Sequence, residues 1–184
     1  VVAIQPLGNY NASLAKEIQQ AINRYYGVKV QIQKQKPIPK SHFVTIKSAR
    51  YRADSIIHYL KETKPTNIDY VVGFTDLDIS TTKTDSWGKV MKPVEKYTDW
   101  GVMGLAYLGG PTGVVSTFRL KSKPALLKER TVKVALHELG HEFGLPHCPD
   151  KKCFMTDAVE SIQTIDNARL DLCTACKRKI GLPK

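Results

Sequence analysis

The chain has 184 residues, which suits one ordinary domain. With 42% hydrophobic and 24% charged residues it is globular rather than disordered, and apolar runs as short as Tyr70–Phe74 exclude a spanning helix, which needs about 20 residues. Lys and Arg outnumber Asp and Glu by 28 to 17, an excess that suits anionic partners but says little about fold.

In chain order, VVAIQPLG at the start reads as a short buried strand ending in a turn. Leu14, Ile18, Ile22 and Tyr25 recur at helical spacing, so Ala12–Tyr26 is predicted as an amphipathic helix capped by Gly27. Val28, Val30 and Ile32 alternate with polar residues, the period of a half-buried strand. Lys34–Lys40 is a basic loop containing prolines. A second helix is predicted over Arg50–Glu62, with Ala53, Ile56, Ile57 and Leu60 facing inward. Tyr70–Phe74 reads as a central strand, and Lys83–Thr98 as irregular. Two strand-like runs, Val102–Leu108 and Val114–Phe118, flank a glycine-rich turn. Lys121–Lys133 then leads into a third helix. This alternation predicts an α/β fold with a mixed twisted sheet, and no repeat or linker interrupts it.

The third helix carries the chemistry. Val134–His147 reads VALHELGHEFGLPH and holds His137, Glu138 and His141 as HExxH. Residues four apart share a helix face, so both imidazoles can reach one ion, with Glu138 beside it as a general base. The bland alternative is a solvated helix with two surface histidines. Gly144 argues against it, because glycine permits the left-handed turn that would return His147 as a third ligand. Three histidines leave one position open, the pattern of a catalytic zinc.

The four cysteines lie within Cys148–Cys176. Cys148 and Cys153 form one short-spaced pair, and Cys173 and Cys176 form a CxxC pair. Four thiolates so spaced suit a closed structural zinc site. Two disulfides or a redox pair are the alternatives; the cations at Lys177, Arg178 and Lys179 would favour thiolates.

From His137 to Cys176 the chain resembles the archaemetzincin family: HExxHxxGxxHC, four residues, CxM, seventeen residues, CxxC. Every fixed position is present, over roughly a fifth of the chain. The resemblance implies a single metzincin-like catalytic domain over 1–184. Residues 1–144 would be an N-terminal subdomain with sheet and active-site helix, and 145–184 a C-terminal subdomain stapled by zinc. It implies a zinc-dependent metallopeptidase acting on peptides or proteins, with two zinc ions per chain. His137, His141 and His147 would bind the catalytic zinc, Glu138 would be the general base, and Cys148, Cys153, Cys173 and Cys176 would bind the structural zinc. Met155 would be the Met-turn methionine under the histidines, although by itself it reads as ordinary core. Similarity to metzincins also implies a peptide pairing antiparallel to a cleft-edge strand, for which Val114–Phe118 is the candidate. Some metzincins add a tyrosine after the Met-turn, and here no tyrosine follows Tyr107.

Weaker features are read conservatively. His42 and His58 are expected outside the metal site, Asp76 and Asp78 as strand-end turn residues rather than a calcium site, and Trp87, Trp100 and Tyr107 as packing rather than cleft lining. Two other functions compete: a basic zinc module contacting nucleic acid, and a metzincin scaffold with little hydrolytic activity. The complete HExxHxxGxxH argues against nucleic acid as partner. A monomer is favoured. Zinc thiolates favour a reducing cytoplasm, and the opening Val1 leaves export open.

Overall fold

The computed structural model describes residues 1–157 and 161–183. The first segment forms β1 (Val2–Pro6), α1 (Ala12–Tyr26) and β2 (Val30–Ile32). Helix α1 starts on Asn11, whose side chain accepts from the Leu14 N–H, and ends on left-handed Gly27. Both ends match the predicted range. β3 (Phe43–Val44) and β4 (Arg50–Arg52) lead into α2 (Ala53–Thr63). The helix predicted from Arg50 therefore begins three residues later. Arg50–Arg52 is strand because its backbone pairs with Phe43–Val44 on one side and Ile79–Ser80 on the other.

Then come β5 (Tyr70–Thr75), β6 (Ile79–Thr81), the single-turn helix α3 (Val94–Tyr97), β7 (Trp100–Val102), β8 (Gly104–Ala106) and β9 (Thr112–Ser116). The chain closes with α4 (Leu127–Glu142), α5 (Ile162–Asn167) and α6 (Thr174–Lys179). Val102–Leu108, predicted as one strand, is divided at Met103. Val102 pairs with Ile79 in one sheet, whereas Gly104 pairs with Val115 in the other.

The main sheet has the order β2-β1-β5-β9-β8, and the smaller sheet the order β3-β4-β6-β7. In the main sheet every pairing is parallel except β8 with β9. Alternate residues of a strand face opposite sides, so β1, β5 and β9 serve two cores. Val2, Ile4, Val72, Phe74 and Val115 pack with Ile18 and Ile22 of α1 and Leu136 and Leu139 of α4. Ala3, Val71 and Val114 pack instead with Ile56, Ile57 and Leu60 of α2. Strands covered on both faces are expected to be continuously apolar, and β9 is buried along its whole length. This overturns the choice of Val114–Phe118 as cleft edge. β9 lies between β5 and β8, and the edge strand on this side of the main sheet is β8.

The segment after Gly144 shares this core. Leu145, Phe154, Met155, Ile165 and Leu172 belong to the same cluster as Ile4 and Ile18. No helix among the described residues is long and apolar enough to cross a membrane.

Candidate metal centre

Helix α4 is the central element. His137 and His141 lie on one face, with ring centroids 4.5 Å apart. The helix ends at Phe143 in a Schellman arrangement: the Gly144 N–H donates to the His141 carbonyl at 2.9 Å and the Leu145 N–H to the Gly140 carbonyl at 2.9 Å. Gly144 has φ 86°, a left-handed conformation that side chains disfavour. The reversal returns the chain so that the His147 ring stands 5.4 Å from His137 and 4.8 Å from His141.

The two helical imidazoles are oriented by backbone. His137 Nδ1 lies 2.7 Å from the Phe154 carbonyl, and His141 Nδ1 lies 2.7 Å from the Leu145 carbonyl. A carbonyl only accepts, so each Nδ1 carries the proton and each Nε2 presents a lone pair. Those Nε2 atoms are 3.0 Å apart. Two lone pairs at that distance repel unless an electrophile lies between them, and two nitrogens on one tetrahedral zinc stand about 3.3 Å apart. Burial, then the neighbouring imidazole, pushes His137 down to about 3. Burial also lowers His141. Both rings are therefore neutral donors at pH 7, as metal binding requires.

Glu138 is buried, and burial pushes its carboxyl up to about 8. It faces β8: a Cβ on Gly104 would sit 2.5 Å from the Glu138 Oε1. Gly104 therefore lets the edge strand lie against the carboxyl, a role that one glycine in a strand run did not signal in the sequence. Glu142, one turn on, is also buried; burial, then the Glu138 carboxylate, holds it well above the carboxylate range. Nothing in the spacing marked it.

Met155 is fully buried and packs against α4. A Cβ on Gly140 would sit 2.4 Å from its sulfur and 3.0 Å from the Tyr26 hydroxyl. Tyr26 donates to the Leu136 carbonyl at 2.6 Å. Met155 and Tyr26 of α1 thus both press on α4 at Gly140.

The four cysteines form a second cluster. Their Sγ atoms lie within 4.8 Å of one another, as do the ligand nitrogens of the three histidines. Cys148 and Cys173 are 3.6 Å apart, and Cys153 and Cys176 are 3.9 Å apart. A disulfide needs about 2.05 Å, whereas sulfurs on one tetrahedral zinc stand about 3.8 Å apart. The cysteines are free thiols here, and the donor set fits a closed zinc site. The Cys148 N–H also donates to the Met155 carbonyl at 2.8 Å, tying this cluster to the histidine site.

The weaker candidates fall elsewhere. His42 contacts Tyr59, and His58 stands 3.9 Å from Glu62. Asp76 accepts from the Thr117 hydroxyl at 2.6 Å, and Asp78 pairs with Arg119 at 3.0 Å. Trp87 is 85% exposed and lines neither recess beside the site. Trp100 and Tyr107, expected as packing residues, instead line the groove that contains His137, Glu138, His141 and His147.

Neutral imidazoles converging beside a buried carboxyl, at an open sheet edge, are the equipment of a metallohydrolase. The family model for Peptidase family M54 matches residues 8–181. The archaemetzincin of Haloquadratum walsbyi is 29% identical over 188 residues, covering 97% of this chain and 98% of that protein. The crystal structure of the archaemetzincin of Methanopyrus kandleri superposes with a TM-score of 0.78 at 25% identity, over 98% of this chain and 92% of that one. That of Archaeoglobus fulgidus, complexed with malonate, gives 0.75 at 26% identity, over 97% and 99%. The chain belongs to peptidase family M54 and is a zinc metallopeptidase with the mixed α/β fold of the archaemetzincins.

Proposed function

We propose that the protein hydrolyses peptide bonds at the histidine site, with Glu138 as general base. In this reading His137, His141 and His147 hold the catalytic zinc, and Cys148, Cys153, Cys173 and Cys176 hold a structural zinc, giving two per chain. Met155 is the floor that fixes the histidine face. Residues 1–184 act as one catalytic domain, with 1–144 and 145–184 as its subdomains, in a reducing cytoplasm that keeps the thiolates metallated. The observation that carries the reading is the 3.0 Å approach of two Nε2 lone pairs whose partner nitrogens are both spent on carbonyls.

Zinc, when bound, supplies Lewis acidity that polarises a carbonyl and acidifies water. The chain supplies the rest. An extended peptide adds to the β8 edge antiparallel, as metzincin substrates do, so its carbonyls and N–H groups meet unpaired backbone of Gly104–Ala106. Beside a bound zinc the Glu138 carboxyl would come down from the value that burial alone gives it, so that as a carboxylate it orients the attacking water, takes its proton on one oxygen, and delivers that proton to the departing amine. The small apolar pocket beside Glu138, lined by Val134, Phe154, Ile165 and Ala168, receives the side chain that follows the broken bond.

Metal content and turnover test this together. Wild type should carry two zinc ions and a His137→Ala/His141→Ala variant one. Glu138→Gln should keep two and lose about 10²–10⁴ in kcat. One zinc in both proteins, or full activity in Glu138→Gln, ends the reading. A second reading, a metzincin scaffold with little hydrolytic activity, is favoured by the lack of any tyrosine after Tyr107. Two zinc ions with no cleavage of any peptide would select it.

A further inference from the structure

A second recess adjoins the catalytic groove and plays no part in the mechanism above. It holds about 590 Å³ and is lined by Lys47, Lys96 and Arg119 together with Trp100 and Phe118. It meets the apolar pocket beside Glu138 at Met103, which lines both. It meets the catalytic groove at Trp100, which also lines both. The recess is therefore a continuation of the cleft.

Its cations are held in place. Arg119 lies flat on β7: a Cβ on Gly101 would sit 2.1 Å from its guanidinium nitrogen. Behind it, Asp78 is shared between Arg119 at 3.0 Å and Arg50 at 3.3 Å, and Asp99 lies 3.7 Å from Arg50. Both carboxylates are buried. Lys47 donates to the Lys96 carbonyl at 2.7 Å, which uses one of its three N–H bonds. The Lys96 ammonium sits 5.2 Å from the Trp100 ring centre. The lining thus carries four cations, Lys47, Arg50, Lys96 and Arg119, and one acid, Asp99, with Asp78 behind Arg119, which leaves positive charge on the open side. Phe118 is 51% exposed beside it.

The direction of the substrate follows from β8. A peptide antiparallel to Gly104–Ala106 has its upstream residues near Tyr107 and its downstream residues near Met103. Met103, the residue before Gly104, lines both the pocket beside Glu138 and the recess, so the peptide residues that follow the one in that pocket are the ones that reach the recess. We propose that Lys47, Lys96 and Arg119 bind a carboxylate on the C-terminal side of the scissile bond, and so select substrates that are acidic there or end there. The proposal rests on the peptidase reading for the direction of the chain. An acidic side chain and a free C-terminus offer the same group, and the test separates them.

The probes are otherwise neutral peptides with a central glycine–leucine bond. They carry asparagine or aspartate at the second and third positions after that bond, and a shorter set ends there with a free or amidated C-terminus. Binding is measured by calorimetry on the zinc-loaded Glu138→Gln protein, and cleavage on wild type. We expect aspartate, or the free terminus, to bind about tenfold tighter than its neutral counterpart. The advantage should vanish in Arg119→Gln and shrink in Lys47→Gln, whose side chain is exposed; thermal melts of both variants show that the fold is kept. Preference for aspartate identifies an acidic side chain; preference only for the free terminus identifies an enzyme that trims C-terminal ends. Equal binding of all pairs overturns the proposal, as does a preference that survives both variants. Tighter acidic binding without any cleavage would keep the recess and sink the peptidase reading. Equal binding of neutral and acidic peptides, with all of them cleaved, would do the reverse.

Discussion

Glu138 and Gly104 are in contact with no space between them. The atom an alanine at 104 would meet is the end of a flexible side chain, so the fold can yield while the carboxyl cannot stay where it is. Gly104→Ala should therefore leave the melting temperature nearly unchanged and lower kcat by about 10², the typical consequence of a 1 Å misplacement. Steady-state kinetics beside a thermal melt separate the two effects. A large fall in stability with normal kcat would mean that Glu138 is not what Gly104 accommodates. The ion pair of buried Arg130 with half-buried Asp166 is a structural matter at the same scale. Arg130 donates Nε and a terminal nitrogen to the two carboxylate oxygens at 2.7 Å each. The Arg130 hydrogen bonds hold the Asp166 carboxyl below the usual carboxylate range. A carboxyl with a lowered folded pKa stabilises fully above its unfolded value, about 3.9, and loses that contribution as pH falls through the folded one. Asp166→Asn should thus cost about 1–2 kcal/mol at neutral pH, discounted for partial exposure. The gap between the two proteins should close below about pH 4 in urea denaturation series. A gap that is unchanged at pH 3 would contradict the assignment.

Helix α4 shows how one element organises a site. The HExxH spacing was legible because a helix face is a local property of i and i+4. Gly144 was legible for the same reason, since only a residue free to adopt φ 86° lets Leu145 bond back to Gly140. Gly144→Ala should cost about 1–3 kcal/mol and weaken metal binding at the histidine site by displacing His147. Denaturation and a zinc competition titration read the two losses separately; unchanged zinc affinity would show that His147 does not depend on the turn. What α4 rests against was not legible. Tyr26 reaches it from 110 residues away, no periodicity within the helix encodes a partner, and Met155 was expected there only through the family resemblance. The edge strand shows the same limit. Both Val102–Leu108 and Val114–Phe118 carry strand composition, and pairing alone decides that β9 is interior while β8 is an edge.

Across the whole molecule, the cysteine cluster joins the segment after the third histidine to the C-terminal helix α6, while Ile165 and Leu172 bury the intervening chain against the main core. Loss of one thiolate should open that joint. Cys176→Ser is expected to remove one zinc of two and lower the melting temperature by several degrees, with the amides of residues 161–183 losing hydrogen-exchange protection first. Uniform loss of protection across β1, β5 and β9 would instead mean that the cluster stabilises the entire fold. The sequence by itself determined the donor sets, the helix that carries two of the histidines, the turn that returns the third, and the α/β class. These follow from spacing and periodicity, which act over a few residues. Only the tertiary structure decided which strand is open to a substrate, that Gly104 lies against Glu138, that Tyr26 and Met155 meet at Gly140, and that Lys47, Lys96 and Arg119 share one recess beside the cleft. Those relations arise from packing between segments tens of residues apart, where burial and pairing choose among arrangements that local chemistry leaves equal.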